Sequence, residues 1–420
     1  VLNYDGAGYN VAVGHRAGYA LTTGTVNTFI GAFAGGATDD GTRNVALGYA
    51  AMDTGNAGDD NIAIGYGALQ DTTASSNIAI GSSAMIQHTT GARNIAIGHA
   101  AMDDTDAGSN SLGSSDNIFI GYNAGGGTWA DVASIQNVVI GNNSADASFS
   151  GANYNVGMGT NVYGALTQGD ANSAFGHGSL TALTTGGSNV AVGNAAGSTM
   201  TGTSNTVLIG SGAGNAINST DANGTVAIGY EASYNLTSGA NQVSIGYQAG
   251  KALTTAANST FIGYQAGLVH TGGNNIAIGD RAFYDTDAGA SSLASTKNVA
   301  IGNRALAGTL TDAAVVGTVA LGYYALGNAT MGGIDYNIAI GMESQMANAG
   351  GQNIAIGYAT LKVADGGETG NVAIGTSTMD AVNNDGSDHN VAVGNYSLRG
   401  GTGLLARNIA IGHQSMDGTG

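Results

Sequence analysis

The sequence predicts an all-β chain wound as a parallel β-solenoid, a β-roll of about 23 short coils. Three observations carry the prediction. A motif of the form Asn-Ile-Ala-Ile-Gly-x-x-Ala, as at Asn61-Ile62-Ala63-Ile64-Gly65-Tyr66-Gly67-Ala68, returns along the whole chain. Its apolar residues alternate at period two, as in a strand. The 420 residues include 73 Gly, no Pro and no Cys, with 9 % charged and 6 % aromatic residues. That charge is well below the usual ~25 %. The composition argues against an ordinary enzyme core, against collagen, which needs abundant Pro, and against a self-solvating disordered chain.

Anchored on its Gly, the motif occurs 23 times, from Gly14 to Gly412, mostly 16 to 20 residues apart and 23 apart twice. No other segment interrupts the series, so residues 1–420 read as one domain. The residue before Gly is apolar in all 23 copies, and the residue three before is Ile or Val in 20. Ala stands between them in 16. This predicts a five-residue strand with one β-branched and one small-residue face, repeated once per coil. Short strands without crossover helices stack as a parallel solenoid. The Gly suits a corner. The Ala column three residues after it predicts a second, tightly packed strand. Runs such as Leu21-Thr22-Thr23-Gly24 supply turns. At ~4.8 Å per coil the body would be a rod of roughly 110 Å.

Four residues before the Gly stands Asn in 18 copies: Asn10, Asn27, Asn44, Asn61, Asn77, Asn94, Asn117, Asn137, Asn155, Asn172, Asn189, Asn275, Asn298, Asn337, Asn353, Asn371, Asn390 and Asn408. Such a column can bond amide to amide along the axis and satisfy backbone groups of the turns. It is expected to be a structural ladder.

The unit Asn/Ser-Val-Ala-Ile-Gly-x-x-Ala resembles the head repeat of trimeric autotransporter adhesins of the YadA type. The Ala-Ile-Gly-Tyr-x-Ala and Thr-Thr-Gly runs are also similar to repeats of phage and bacterial tail-fibre-like proteins. The resemblance spans Asn10 to Ser415. It implies a left-handed parallel β-roll, a homotrimer and an extracellular role. The coils here are longer than typical head repeats, and no heptad stalk, membrane-anchor barrel or chaperone segment is recognisable. Flat small-residue faces permit close approach by another chain, so a homotrimer is expected, with a single-chain solenoid as the alternative. The start Val1-Leu2-Asn3, without Met, reads as a piece of something longer or a processed product. No polar cap is visible at either end, which suggests removed flanks or head-to-tail stacking into a filament.

Tyr follows the anchor Gly in eight copies, among them Tyr49, Tyr66, Tyr230, Tyr247 and Tyr264, and His does in four, His15, His99, His177 and His413. The tyrosines form either an aromatic stripe that binds glycans or another surface, or a cover for the corner or a trimer interface. A ring of His about a trimer axis could hold an ion. Acidic residues gather in loops, and the related runs Asp104-Thr105-Asp106-Ala107-Gly108 and Asp285-Thr286-Asp287-Ala288-Gly289 follow anchors ten coils apart, pointing to an older duplication. Asp104, Asp106, Asp285 and Asp287 could ligate Ca²⁺. The Gly-Gly-x-Gly-x-Asp repeat of Ca²⁺-loaded rolls is absent, so solvated loops are the alternative, and no other cofactor is expected.

The net charge of −18 disfavours nucleic acid. No apolar run reaches the ~20 residues of a membrane span. No Ser/His/Asp constellation or paired carboxylates recur at a fixed place, so catalysis is not expected. The expectation is an extracellular, cell-surface structural or adhesive fibre segment presenting a repetitive surface to cells or surfaces, its receptor open. A phage or virion tail-fibre shaft and a self-assembling filament are the alternatives.

Overall fold

Each copy of the motif places a three-residue β-strand immediately before its anchor Gly, giving 23 such strands. The computed structural model describes residues 8–105, 113–129, 132–284, 294–309, 314–330, 334–347, 350–363, 367–382, 387–400 and 405–418. There is no α-helix among them; one turn of 3₁₀-helix lies at Thr220–Ala222. The residues group into two compact units, Val1–Leu208 with Asn218–Thr220, and Ile209–Ile217 with Asp221–Gly420. In the first, strands from Val11–Val13 to Val190–Val192 pair in parallel in chain order, for example Ile62↔Ile78, Ala63↔Ala79 and Ile64↔Ile80. The second repeats the arrangement from Val226–Ile228 to Ile409–Ile411. Each unit is a parallel β-solenoid.

The strand is shorter than the five residues predicted, because the backbone turns left-handed on either side of it. In every coil the residue five before the anchor, the anchor, and the residues two and four after it have positive φ. In one coil these are Asp60 (62°), Gly65 (135°), Gly67 (61°) and Leu69 (49°). The expected second strand therefore does not form as such. Outside the 23, one strand pair occurs among the described residues, Gly308–Thr309 with Ala329–Thr330. Hydrogen bonding between coils nevertheless continues through the turn: Phe33 N–H donates to His15 O and Gly35 N–H to Ala51 O, both at 2.8 Å.

The anchor must be Gly for two reasons. Its φ, 135° at Gly65, lies where a side chain is strained, and a Cβ there would overlap the carbonyl oxygen of Gly81 in the next coil.

The strand's faces are oriented opposite to the rule that larger apolar residues go inside. From the second strand on, the central residue points into the coil and is buried, as are Ala46, Ala63, Ala79 and Ala96. The flanking Ile and Val face outward and stay half-exposed. The interior is completed by the Ala three after the anchor and by a larger residue beyond it, such as Met52, Leu69 or Met85. Volume is conserved within the coil. Where the position four after the anchor is Gly, the strand centre can be Phe: Phe29 with Gly35, Phe119 with Gly125 and Phe261 with Gly267. A Cβ on any of these three glycines would lie 2.7 to 2.8 Å from its Phe ring.

Candidate functional site

The Asn column is buried and its amides bond mainly to backbone. From Asn10 to Asn390 each Oδ1 accepts from the main-chain N–H of the next ladder position, as in Asn61 N–H to Asn44 Oδ1 (2.9 Å) and Asn77 N–H to Asn61 Oδ1 (2.9 Å). Over the same span, Asn10 to Asn390, each Nδ2 donates to a turn carbonyl of the following coil, Asn61 to Ala74 O and Asn77 to Gly91 O, both 2.8 Å. Amide-to-amide bonds join in along part of the column, as from Asn94 Nδ2 to Asn77 Oδ1 at 3.2 Å. Where Asn is replaced, other polar groups continue the contact. Thr206 N–H and Oγ1 both donate to Asn189 Oδ1, and Ser259 N–H donates to Gln242 Oε1.

The residues after the anchors form an exposed aromatic column on each unit. Tyr49 stacks on Tyr66 at 5.5 Å between ring centroids, with Phe33 edge-on beyond Tyr49 at 5.7 Å and His15 beyond Phe33 at 5.3 Å. In the second unit Tyr230, Tyr247 and Tyr264 stack at 5.2 and 5.3 Å. The guanidinium of Arg281 lies 5.2 Å from the Tyr264 ring centre. Stacked rings cover each other's faces and leave edges and hydroxyls to solvent, so the full face that a sugar would stack on is unavailable inside the column. Beside it, Glu231 accepts from Lys251 Nζ at 2.6 Å, and this bond holds its carboxyl below the usual range. The four histidines at this position, His15, His99, His177 and His413, are exposed.

Of the Ca²⁺ candidates, Asp106, Asp285 and Asp287 lie outside the described residues. At Asp104, and at its neighbour Asp103, Oδ1 is buried without a hydrogen-bond partner. Burial is the main cause holding the Asp103 carboxyl above its ordinary value. Among the described residues no three His, Cys, Asp or Glu side chains converge to hold a metal. Elsewhere carboxylates meet cations one coil away, Asp60 with Arg43 and Asp116 with Arg93, both at 2.6 Å.

Fold and surface together define a repeat protein of the parallel β-solenoid class, with a polar ladder inside and aromatic and aliphatic columns outside. No protein-family model matches this chain, and no curated protein is similar to it.

Two arrangements escaped the sequence reading. One is the outward Ile/Val face. The other is Arg281 and Arg304, both two residues after their anchors in consecutive coils, which aligning the coils on Gly would have brought together.

Proposed function

We propose that this chain is a segment of an extracellular structural or adhesive fibre, a non-catalytic homotrimer that presents a repetitive surface. The observation that carries the proposal is the outward aliphatic face. Parallel sheets are as a rule covered on both faces. Here one face of each sheet covers the coil interior, while the other shows Ile and Val in coil after coil, with Ile301 and Ile356 still 39 % and 36 % exposed. Contiguous apolar surface of this kind marks an interface. A second and third copy of the chain carry the same columns at the same spacing, so they complement one another without any partner of different chemistry. The contact is thus assigned to the Ile/Val face. The small-residue face, expected to meet another chain, is spent on packing inside each coil. The aromatic columns and acidic loops stay outside and form the presented surface.

Sedimentation equilibrium tests the assembly: a mass three times that of the chain is expected, and a concentration-independent monomer would sink the trimer. The adhesive role is tested by retention of the purified protein on cell or glycan-coated surfaces, which should be lost on replacing Tyr49, Tyr66, Tyr230, Tyr247 and Tyr264 by Ser.

A further inference from the structure

Ten Lys and Arg stand against 28 Asp and Glu in this chain. Five of the cations pair with a carboxylate across neighbouring coils: Arg43, Arg93, Lys251, Lys362 and Arg399. The other five, Arg16, Arg281, Lys297, Arg304 and Arg407, make no such pair across coils among the described residues, and two of them come together in the second unit. Arg281 and Arg304 occupy the same position on consecutive coils, where the Arg304 N–H donates to Asp280 O at 2.9 Å. The nearest carboxylate to Arg281 is Asp280, only at 3.9 Å and also bonded by Asn303 Nδ2 at 3.0 Å. Arg304 gives Nη1 to the Tyr324 hydroxyl at 2.6 Å and has no carboxylate partner among the described residues. Two guanidiniums on consecutive coils repel one another, and an anion placed between them would relieve that repulsion.

Both line one cavity of about 270 Å³, with Tyr284, Asn328 and the small residues Gly308 and Gly327. It lies at the one additional strand pair among the described residues, Gly308–Thr309 with Ala329–Thr330. Gly327 packs tightly against the wall of the cavity, since a Cβ there would lie 2.6 Å from Tyr324 Cα and 2.8 Å from Arg304 O. The guanidiniums are held in advance of any ligand. Arg281 lies 5.2 and 6.0 Å from the Tyr264 and Tyr284 ring centres, and Arg304 lies 5.4 Å from that of Tyr324.

We infer that this cavity binds one anionic sugar unit, its carboxylate or sulfate held by Arg281 and Arg304 and its ring and hydroxyls met by Tyr284 and Asn328. Planar guanidinium forks match both anions. The volume falls just below the range of about 300–1,000 Å³ typical of drug-sized ligands, which suits a single monosaccharide. The net charge of −18 repels long polyanions while two local arginines still hold one charge. The site deepens the surface-presenting role proposed above but is built within one chain, so it survives if the trimer fails.

Calorimetry on the full chain tests it with glucuronic acid and N-acetylglucosamine 6-sulfate as separate probes, and glucose and inorganic sulfate as controls. At least one charged sugar should bind tenfold or more tighter than glucose and than sulfate, and the two probes decide between carboxylate and sulfate. Arg281→Gln and Arg304→Gln should each weaken binding at least tenfold, and Asn328→Ala by less. If Gln disturbs the fold, as circular dichroism would reveal, Arg281→Lys with Arg304→Lys keeps the charge, loses the fork and should still weaken binding severalfold. Charged sugars binding no better than glucose, sulfate binding as well as the sugars, or correctly folded variants binding as wild type would overturn the assignment.

Discussion

Replacing Asn61, Asn77 and Asn94 together by Ala isolates the ladder. Each substitution removes an acceptor from a buried N–H, those of Asn77, Asn94 and Asn117, and a donor from a buried carbonyl, those of Ala74, Gly91 and Ser114. An orphaned buried polar group costs about 1–3 kcal/mol. Up to two per site, partly relieved by water and, at Gly91 O, by His88 Nε2 at 2.8 Å, give about 2–4 kcal/mol for each rung. Repeat proteins open locally rather than as one unit, so the appropriate assay is native-state hydrogen exchange at those three amides. A loss of 2–4 kcal/mol in local stability accelerates exchange by about 30- to 900-fold. The comparison is Asp40→Asn with Asp60→Asn and Asp116→Asn, three exposed changes that leave the buried column intact; Asn also tolerates the left-handed φ of Asp60 and Asp116, 62° and 63°. Equal acceleration in both triple variants would refute the ladder as a source of stability.

Three more outcomes follow from the same geometry. Gly65→Ala should destabilise by more than about 3 kcal/mol through strain and overlap with Gly81 O, whereas Gly67→Asn, where other coils carry Ser83 or Asn123, should change urea midpoints little. Phe29→Ala should cost about 3–5 kcal/mol by leaving a cavity, and adding Gly35→Leu should recover half or more, since Ala63 with Leu69 fills the same space in another coil. For pH, the carboxyls of Asp59, bonded mainly by Thr42, and of Asp116, bonded by Arg93, are held below their ordinary values. Their contribution is therefore present above the unfolded pKa of about 4 and lost as pH falls through the lower folded values. Asp103 has the opposite sign: burial raises it, so its charge opposes folding at neutral pH. Asp103→Asn should raise the melting temperature at pH 7, and that advantage should vanish near pH 3.

Strand positions, anchors and the Asn column are legible in the sequence because each is fixed by one residue type at one offset. Which face of the strand points inward is not legible. Period-two alternation separates Ala63 from Ile62 and Ile64 but does not assign either to the interior, and burial by size picks the wrong one. A coil of mostly 16 to 20 residues is too thin to enclose two Ile columns, so Ala goes in. The missing second strand was hidden for another reason. Its left-handed positions carry Arg16, Phe33 or Glu231 as readily as Gly67, and such residues carry no signal for that conformation. The exchange between Phe29/Gly35 and Ala63/Leu69, by contrast, was available by aligning coils and comparing side-chain volumes. So was the arginine pair.

An interior lined chiefly by Ala sets how such coils are held together. Burying a methyl contributes about 0.8 kcal/mol, against about 1.5–3 for a Leu or Ile, so a coil gains little from its own contents. The interior adds larger residues such as Leu21, Leu69 or Met85, while the Ile and Val of the strand stand outside. Cohesion between coils then draws on hydrogen bonds that run through strand, turn and Asn column alike, most of them directed from one coil to the next. That explains why the left-handed residues are tolerated: their strain of about 1–3 kcal/mol each is offset by aligning the turn's N–H and C=O groups with the neighbouring coil. It also fits the proposed homotrimer: the outward Ile and Val are not needed to close the coil, so in that assembly they would be free to supply apolar burial between chains.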